Sequence, residues 1–397
     1  MIKISERINR ITESKTLAMT KMGRALASKG IDVISLSIGE PDFDTPKHII
    51  DAAKQAMDDG YTHYTPVPGF PELREAISHK FKRDNNLDYA AEKIVVSTGA
   101  KHSLMNTFLC ILNPGDEVVV PTPYWVSYVD MISHCDGKAI TIPTTMENDY
   151  LPSIEQIRNA VTPKTKAIVF SSPCNPSGSV YPKELLKGIA DIIAENPQMI
   201  AISDEIYEHI NYTPKHCSIG TFENIKDQVV TVNGLAKGFA MTGWRIGYVG
   251  APLVLARAME KLQGQYTSGT NSIAQRAAIT ALGDNLDPTR KMKETFLKRR
   301  GHVLELLSKI PTLKNNTPQG AFYVFPDVSF YFGKSFNSKV VKDADDLAIY
   351  LLEEAHVAVV AGSAFGMDNC IRISYAVSEE RITEAITRIE TTLNKLK

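Results

Sequence analysis

Long apolar runs are missing from this chain of 397 residues, although hydrophobic types make up 43% of it. No stretch approaches the ~18 residues that a membrane-spanning helix needs, so no membrane partner is expected. The opening stretch, Ile2 to Lys15, carries charges throughout and has no apolar core of the signal-peptide kind, which reads as a cytoplasmic protein. Cysteine is scarce too. Cys110, Cys135, Cys174, Cys217 and Cys370 are odd in number, scattered and without Cys-x-x-Cys spacing, which argues against both a disulfide framework and a zinc site. The nine histidines form no His-Glu-x-x-His cluster, and no metal is expected. An excess of one charge is absent as well: 44 Lys and Arg balance 45 Asp and Glu, which leaves no global electrostatic reason for a nucleic-acid partner.

What the chain has is length enough for two domains and a clear alternation of patterns. From about residue 93 to 250, short β-branched runs alternate with helical patterns, the signal for a parallel sheet wrapped by helices. The expected strands are 93–97, 117–120, 166–170, 199–203, 229–232 and 245–249. The first five each run into a polar or glycine-bearing turn, where α/β sheets place their ligands. From roughly 290 onward the pattern is α+β, with a charged helix over 291–310, strands at 320–325, 356–360 and 370–374, a helix near 344–355 and a last one from about 378.

The most informative stretch is Asn233-Gly-Leu-Ala-Lys237-Gly-Phe-Ala-Met-Thr-Gly-Trp-Arg245-Ile-Gly-Tyr248. It sets one lysine among small residues, eight positions before an arginine suited to a phosphate. A lysine that forms a Schiff base must lose its proton near neutral pH, which partial burial and a nearby cation provide. An isolated lysine and arginine at this spacing would read as solvated side chains. The whole run, however, resembles the pyridoxal-phosphate enzymes of fold type I, and within them the class I aminotransferases of the aspartate aminotransferase kind. The resemblance implies a large α/β domain over 46–290, with a mostly parallel sheet wrapped by helices, and a smaller α+β domain built from 1–45 and 291–397. It also implies pyridoxal 5′-phosphate as cofactor, Lys237 as its carrier and catalytic base, and Arg245 as the phosphate clamp.

Other motifs add to this picture. Ser97-Thr-Gly99-Ala100-Lys101 follows a strand and opens a helix, an arrangement that aims free N–H groups at an anion but is also common as an ordinary turn. In the family Gly99, Ala100 and Lys101 stand where the phosphate cup lies. Ile202-Ser-Asp204-Glu-Ile-Tyr207 places an acid at a strand end, where it could cap a helix or hold a pyridine nitrogen protonated. The resemblance gives Asp204 the second role and sets Tyr207 on the ring's 3′ oxygen. Asn175, in Ser171-Ser-Pro-Cys174-Asn175-Pro-Ser-Gly178, stands at the family's other contact to that oxygen, and Cys174 reads as a small filler. Trp125 matches the stacking position over the ring. Tyr64, in a proline-rich loop, either packs there or, as in the family, reaches the phosphate of a neighbouring subunit in a homodimer with shared sites. One departure is clear: Gly234 and Ala236 stand where many relatives have serines.

On the substrate side, Cys370-Ile-Arg372-Ile-Ser-Tyr375 puts an arginine in an apolar strand, where a buried charge needs a carboxylate. Period-two alternation would also allow it to face solvent. The resemblance assigns Arg372 to the α-carboxylate of the substrate and Gly39 to a backbone contact beside it. Lys101 stands where relatives hold the distal carboxylate of aspartate and glutamate, and Lys15 in the N-terminal segment would suit dicarboxylates up to the size of prephenate. The expected function is reversible transamination between an acidic amino acid and a 2-oxo acid, aspartate with 2-oxoglutarate being the leading pair. Prephenate, aromatic or alanine aminotransferase and carbon–sulfur lyase remain alternatives on the same scaffold. A regulator of the same fold would need an added DNA-binding module, for which the 45 residues before the large domain leave no room.

Overall fold

Runs of Val and Ile that are apolar on both faces can be buried only inside a sheet covered by helices on each side. In the computed structural model, which describes residues 2–337 and 339–397, these runs form one seven-stranded sheet. Its strands are β1 (Ile94–Ser97), β2 (Glu117–Pro121), β3 (Lys138–Ile142), β4 (Thr165–Ser171), β5 (Ile200–Asp204), β6 (Val229–Gly234) and β7 (Gly247–Gly250), in the spatial order β1-β7-β6-β5-β4-β2-β3. The pairs β2–β3, β2–β4, β4–β5 and β5–β6 are parallel, whereas β7 is antiparallel to both β1 and β6. The six strands read from the sequence are all present. The seventh, β3, escaped that reading because it is an edge strand whose Lys138 and Thr141 are exposed, so no apolar run marks it.

Helices cover the sheet through their apolar stripes. Leu104 and Phe108 of helix Ala100–Ile111 and Met259 of helix Leu253–Tyr266 pack on Val95, Val118 and Val249. Leu186, Ile189 and Ile193 of helix Lys183–Ala194 pack on Val119 and Ile168. Each of these fully buried side chains contributes roughly 1.5–3 kcal/mol relative to an exposed one.

A second core gathers around helix Asp287–Ser308. Strand Ile371–Ser374 lies antiparallel between Val360–Ala361 and Tyr323–Val324. The N-terminal strand Ile34–Ser35 pairs in parallel with Val357–Ala358, and Met19, Ile34 and Leu36 sit in the same core as Val357, Ile373 and Ile386. Both chain ends thus meet in one layer, which sets Gly39 and Arg372 beside the loops at the C-terminal ends of β2, β4, β5 and β6.

Candidate active site

The β1-to-helix turn is shaped by Gly99. Its φ of +88° is left-handed, and a Cβ there would overlap the guanidinium of Arg245, so only glycine lets the two meet. No side chain caps the helix that starts at Ala100, and its His102 and Ser103 N–H groups donate to the Gly99 carbonyl, which leaves those of Ala100 and Lys101 for an anion. Arg245 is itself left-handed at φ +59°, and its Nη1 donates to the Thr242 carbonyl 2.8 Å away, which aims the fork at that helix end. The same crowding accounts for Gly234: a Cβ would stand 2.8 Å from the Ile246 carbonyl oxygen, so no serine fits this backbone.

Asp204 ends β5 and is 5% exposed. Burial pushes its carboxyl up to about 6, although the Tyr128 hydroxyl donates to it at 2.8 Å and the Ile206 N–H at 3.3 Å. Lys237 follows β6, partly buried, with its ammonium bonded to the Gly39 carbonyl oxygen. Burial, reinforced by Arg372 and Arg245 and opposed by Glu40, lowers the amine to about 8. Tyr207 is buried, with its hydroxyl 2.8 Å from that of Tyr323.

Arg372 is 2% exposed. Nη1 donates to Asn175 Oδ1 at 2.9 Å, Nη2 to the Ser37 carbonyl at 2.6 Å, and Nε has no partner. The guanidinium is sandwiched between the rings of Tyr323 and Phe365, at 4.5 and 5.0 Å. Among the described residues no carboxylate forms an ion pair with it. Lys101 lies over the Trp125 ring at 4.9 Å, and burial, with the Arg245 charge, lowers its amine.

Gly39, Ala100, Lys101, Trp125, Asn175, Asp204, Tyr207, Lys237, Arg245 and Arg372 all line one cleft of about 290 Å³. Gly99 lies just behind, against Arg245. Tyr64 does not reach the cleft of its own chain and is 98% exposed. Lys15 is also outside it, held 2.8 Å from Asp345 and 2.7 Å from Ser363, although its neighbours Ser14, Thr16 and Leu17 line the mouth. The segment before it is tied to the opposite wall: Arg7 and Arg10 pair with Asp136, and Thr12 bonds Asp130. Sequence reasoning missed Tyr128 and Tyr323, whose partners lie 76 and 116 residues away, with no local signal to reveal either contact.

Behind the Asp204–Tyr207 turn lies a buried polar cluster. Lys80 pairs with Glu208, Asn85 bridges Glu208 and Glu205 at 2.6 and 3.1 Å, and His216 meets Glu205 at 2.8 Å. Glu205, Glu208 and His216 lie close enough to share an ion, but Lys80, Asn85 and their mutual contacts already engage them. A larger groove of about 790 Å³, lined by Lys183, Lys215 and Asn316, runs beside them but gathers no comparable set of reactive groups.

The sequence pattern that defines aminotransferases of class I and II matches residues 31–389. A bifunctional aspartate aminotransferase and glutamate/aspartate-prephenate aminotransferase from Petunia hybrida is 44% identical over 100% of this chain and 84% of its own. The aspartate aminotransferase of Bacillus subtilis (strain 168) is 43% identical over 99% of this chain and 100% of its own. Among solved structures, the aspartate aminotransferase from Rhizobium meliloti superposes with a TM-score of 0.96 at 40% identity over 100% of both chains. That of Thermus thermophilus with maleate gives 0.93 at 41% identity, over 99% of this chain and 100% of the other. A cleft in which a lysine of lowered pKa faces a buried acid and an unpaired arginine thus sits on a chain that belongs, over nearly its whole length, to the class I and II aminotransferases.

Proposed function

We propose that this aminotransferase carries pyridoxal 5′-phosphate on Lys237 and moves the amino group of L-aspartate to 2-oxoglutarate, giving oxaloacetate and L-glutamate by a ping-pong route. The observation that carries the reading is the charge of the cleft: Lys101, Lys237, Arg245 and Arg372 converge against the single carboxylate of Asp204. Arg372 is buried and Lys237 half-buried, whereas Lys101 and Arg245 are exposed; a phosphate together with the two carboxylates of an acidic amino acid would supply the missing counter-charges. The residues fit the cofactor group by group. The open helix end at Gly99, Ala100 and Lys101 and the Arg245 fork suit its phosphate, Asp204 its ring nitrogen, Tyr207 and Asn175 its ring oxygen, and Trp125 its face. The names of the relatives support the choice of aspartate.

When bound, the cofactor supplies an aldehyde to take up the amino group and a ring to hold the electron pair left when the Cα–H bond breaks. Arg372 and the Gly39 backbone fix the α-carboxylate, and Lys101 the distal one. Lys237 Nζ is then the base for the Cα proton; at about 8, its amine is neutral in roughly a tenth of molecules at pH 7. Asp204, whose carboxyl burial raises to about 6, would become a firm carboxylate once a ring N–H⁺ faces it. We assign residues 46–290 to the large domain and 1–45 with 291–397 to the small one, in a cytoplasmic homodimer in which Tyr64 enters the site of the neighbouring subunit.

The test is a panel of amino donors against 2-oxoglutarate, with prephenate added as an acceptor because the relative from Petunia names it. Aspartate and glutamate should have the highest kcat/KM. Faster turnover of alanine or an aromatic donor would overturn the substrate assignment. Lys15 is engaged by Asp345, and the prephenate arm of the panel tests whether it serves a larger dicarboxylate.

A further inference from the structure

We propose that Tyr323 is a positioning residue that links Arg372, which receives the substrate carboxylate, to the hydrogen bond that Tyr207 gives inside the cleft; the inference rests on the functional reading above. Tyr323 is completely buried, and its side chain touches both partners at once. The Arg372 guanidinium lies 4.5 Å from its ring centre, and its hydroxyl is 2.8 Å from the hydroxyl of Tyr207. The backbone makes this possible: Ile373 and Ser374 pair with Val324 and Tyr323, so Arg372 and Tyr323 stand on neighbouring strands of one small sheet. On the other side a Cβ at Gly39 would come within 2.7 Å of the Tyr323 oxygen, so the glycine there leaves room for the hydroxyl that meets Tyr207.

The direction of the bond follows from the charge beside it. Each phenol has one proton, and among the described residues each hydroxyl has only the other as partner. Cations stand over both rings, Arg372 4.5 Å from the centre of Tyr323 and Lys237 5.9 Å from that of Tyr207; the nearer charge favours loss of the Tyr323 proton, so Tyr323 is the stronger donor of the two. Tyr207 therefore accepts from Tyr323 and keeps its own proton for the cleft. An O–H that accepts one hydrogen bond gives a stronger one, by about 10–30% in condensed-phase estimates. Tyr323, which also lines the cleft, thus acts on the cofactor's ring oxygen through Tyr207 and on the carboxylate through Arg372.

The experiment uses the loaded enzyme and reads the pH midpoint of its visible absorption band, which falls when the ring oxygen's negative charge is better stabilised. Tyr323→Phe keeps the ring under Arg372 and removes the hydroxyl. The midpoint should rise by roughly 0.3 to 0.6 pH unit, less than in Tyr207→Phe. The double variant should match Tyr207→Phe alone. Succinate affinity should be unchanged in Tyr323→Phe but several-fold weaker in Tyr323→Leu, which lacks the ring. An unshifted midpoint in Tyr323→Phe, additive shifts in the double variant, or unaltered succinate binding in Tyr323→Leu would each overturn the proposal. A wild-type protein with no visible band would instead overturn the cofactor reading together with it.

Discussion

The ammonium of Lys237 is bonded to the main-chain oxygen of Gly39, and among the described residues no carboxylate forms an ion pair with it. A partly buried amine held only by a carbonyl is easily deprotonated, which is why burial brings it to about 8. Labelling of cofactor-free protein with an amine-acylating reagent should show Lys237 reacting with a midpoint near pH 8. Lys237→Ala should lower turnover by roughly 10³-fold or more, since it removes both carrier and base, and leave the circular dichroism spectrum intact.

The same lysine predicts a stability change of known sign. Its folded pKa lies below the ordinary 10.5, so its contribution to stability is present above pH 10.5 and is lost as pH falls through about 8. At pH 7 the charged amine destabilises the cofactor-free fold. Lys237→Met should therefore stabilise that form by roughly 1 to 3 kcal/mol at pH 7, and the gain should shrink toward pH 10 in denaturant titrations.

Lys80 is 1% exposed and paired with Glu208, whose carboxyl it holds at about 2 against the upward push of burial. Lys80→Met leaves that carboxylate buried and uncompensated, and should cost about 3–5 kcal/mol in urea unfolding at pH 7. Adding Glu208→Leu should recover most of the loss. Because the folded pKa is depressed, the pair's contribution is present above pH 4.5 and is lost as pH falls through 2.

Substrate choice separates two arginine and lysine contacts. Lys101→Ser should reduce kcat/KM for aspartate by roughly ten- to a hundredfold, the worth of one charged hydrogen bond, and leave alanine much less affected. Arg372→Leu should penalise every α-amino acid. Equal losses for alanine and aspartate in Lys101→Ser would restrict Lys101 to the cofactor loop.

Tyr64 is 98% exposed in the single chain. Mixed dimers of Lys237→Ala and Tyr64→Phe chains should regain activity, because one of their two sites receives both intact residues. Mixtures of Lys237→Ala with Arg245→Ala should recover less, since the intact copies of Lys237 and Arg245 must come from one chain together.

The parts that were legible in the sequence are those whose chemistry is local. Asp204 and Arg372 stood out locally, as an acid ending an apolar strand and a charge inside one, and the structure buries both; the roles expected of them came from the resemblance. β3 was not legible, since it is a short edge strand with Lys138 and Thr141 exposed, and its apolar residues form no continuous run. The contact of Lys15 was not legible for another reason: its partner, Asp345, lies 330 residues away, so the ion pair has no trace nearby. Tyr323 shows the same limit from the other side. Its strand was expected and its hydroxyl contact was not.

The unpaired guanidinium of Arg372 and the three other cations around Asp204 affect how the emptied protein behaves in different buffers. A cavity with that imbalance attracts small oxyanions in general, whatever their shape. Sulfate or inorganic phosphate at tens of millimolar should raise the melting temperature of the emptied protein and slow its reloading with cofactor, whereas chloride at equal ionic strength should do far less. Reloading rates measured for this chain should therefore depend on which anion must first leave.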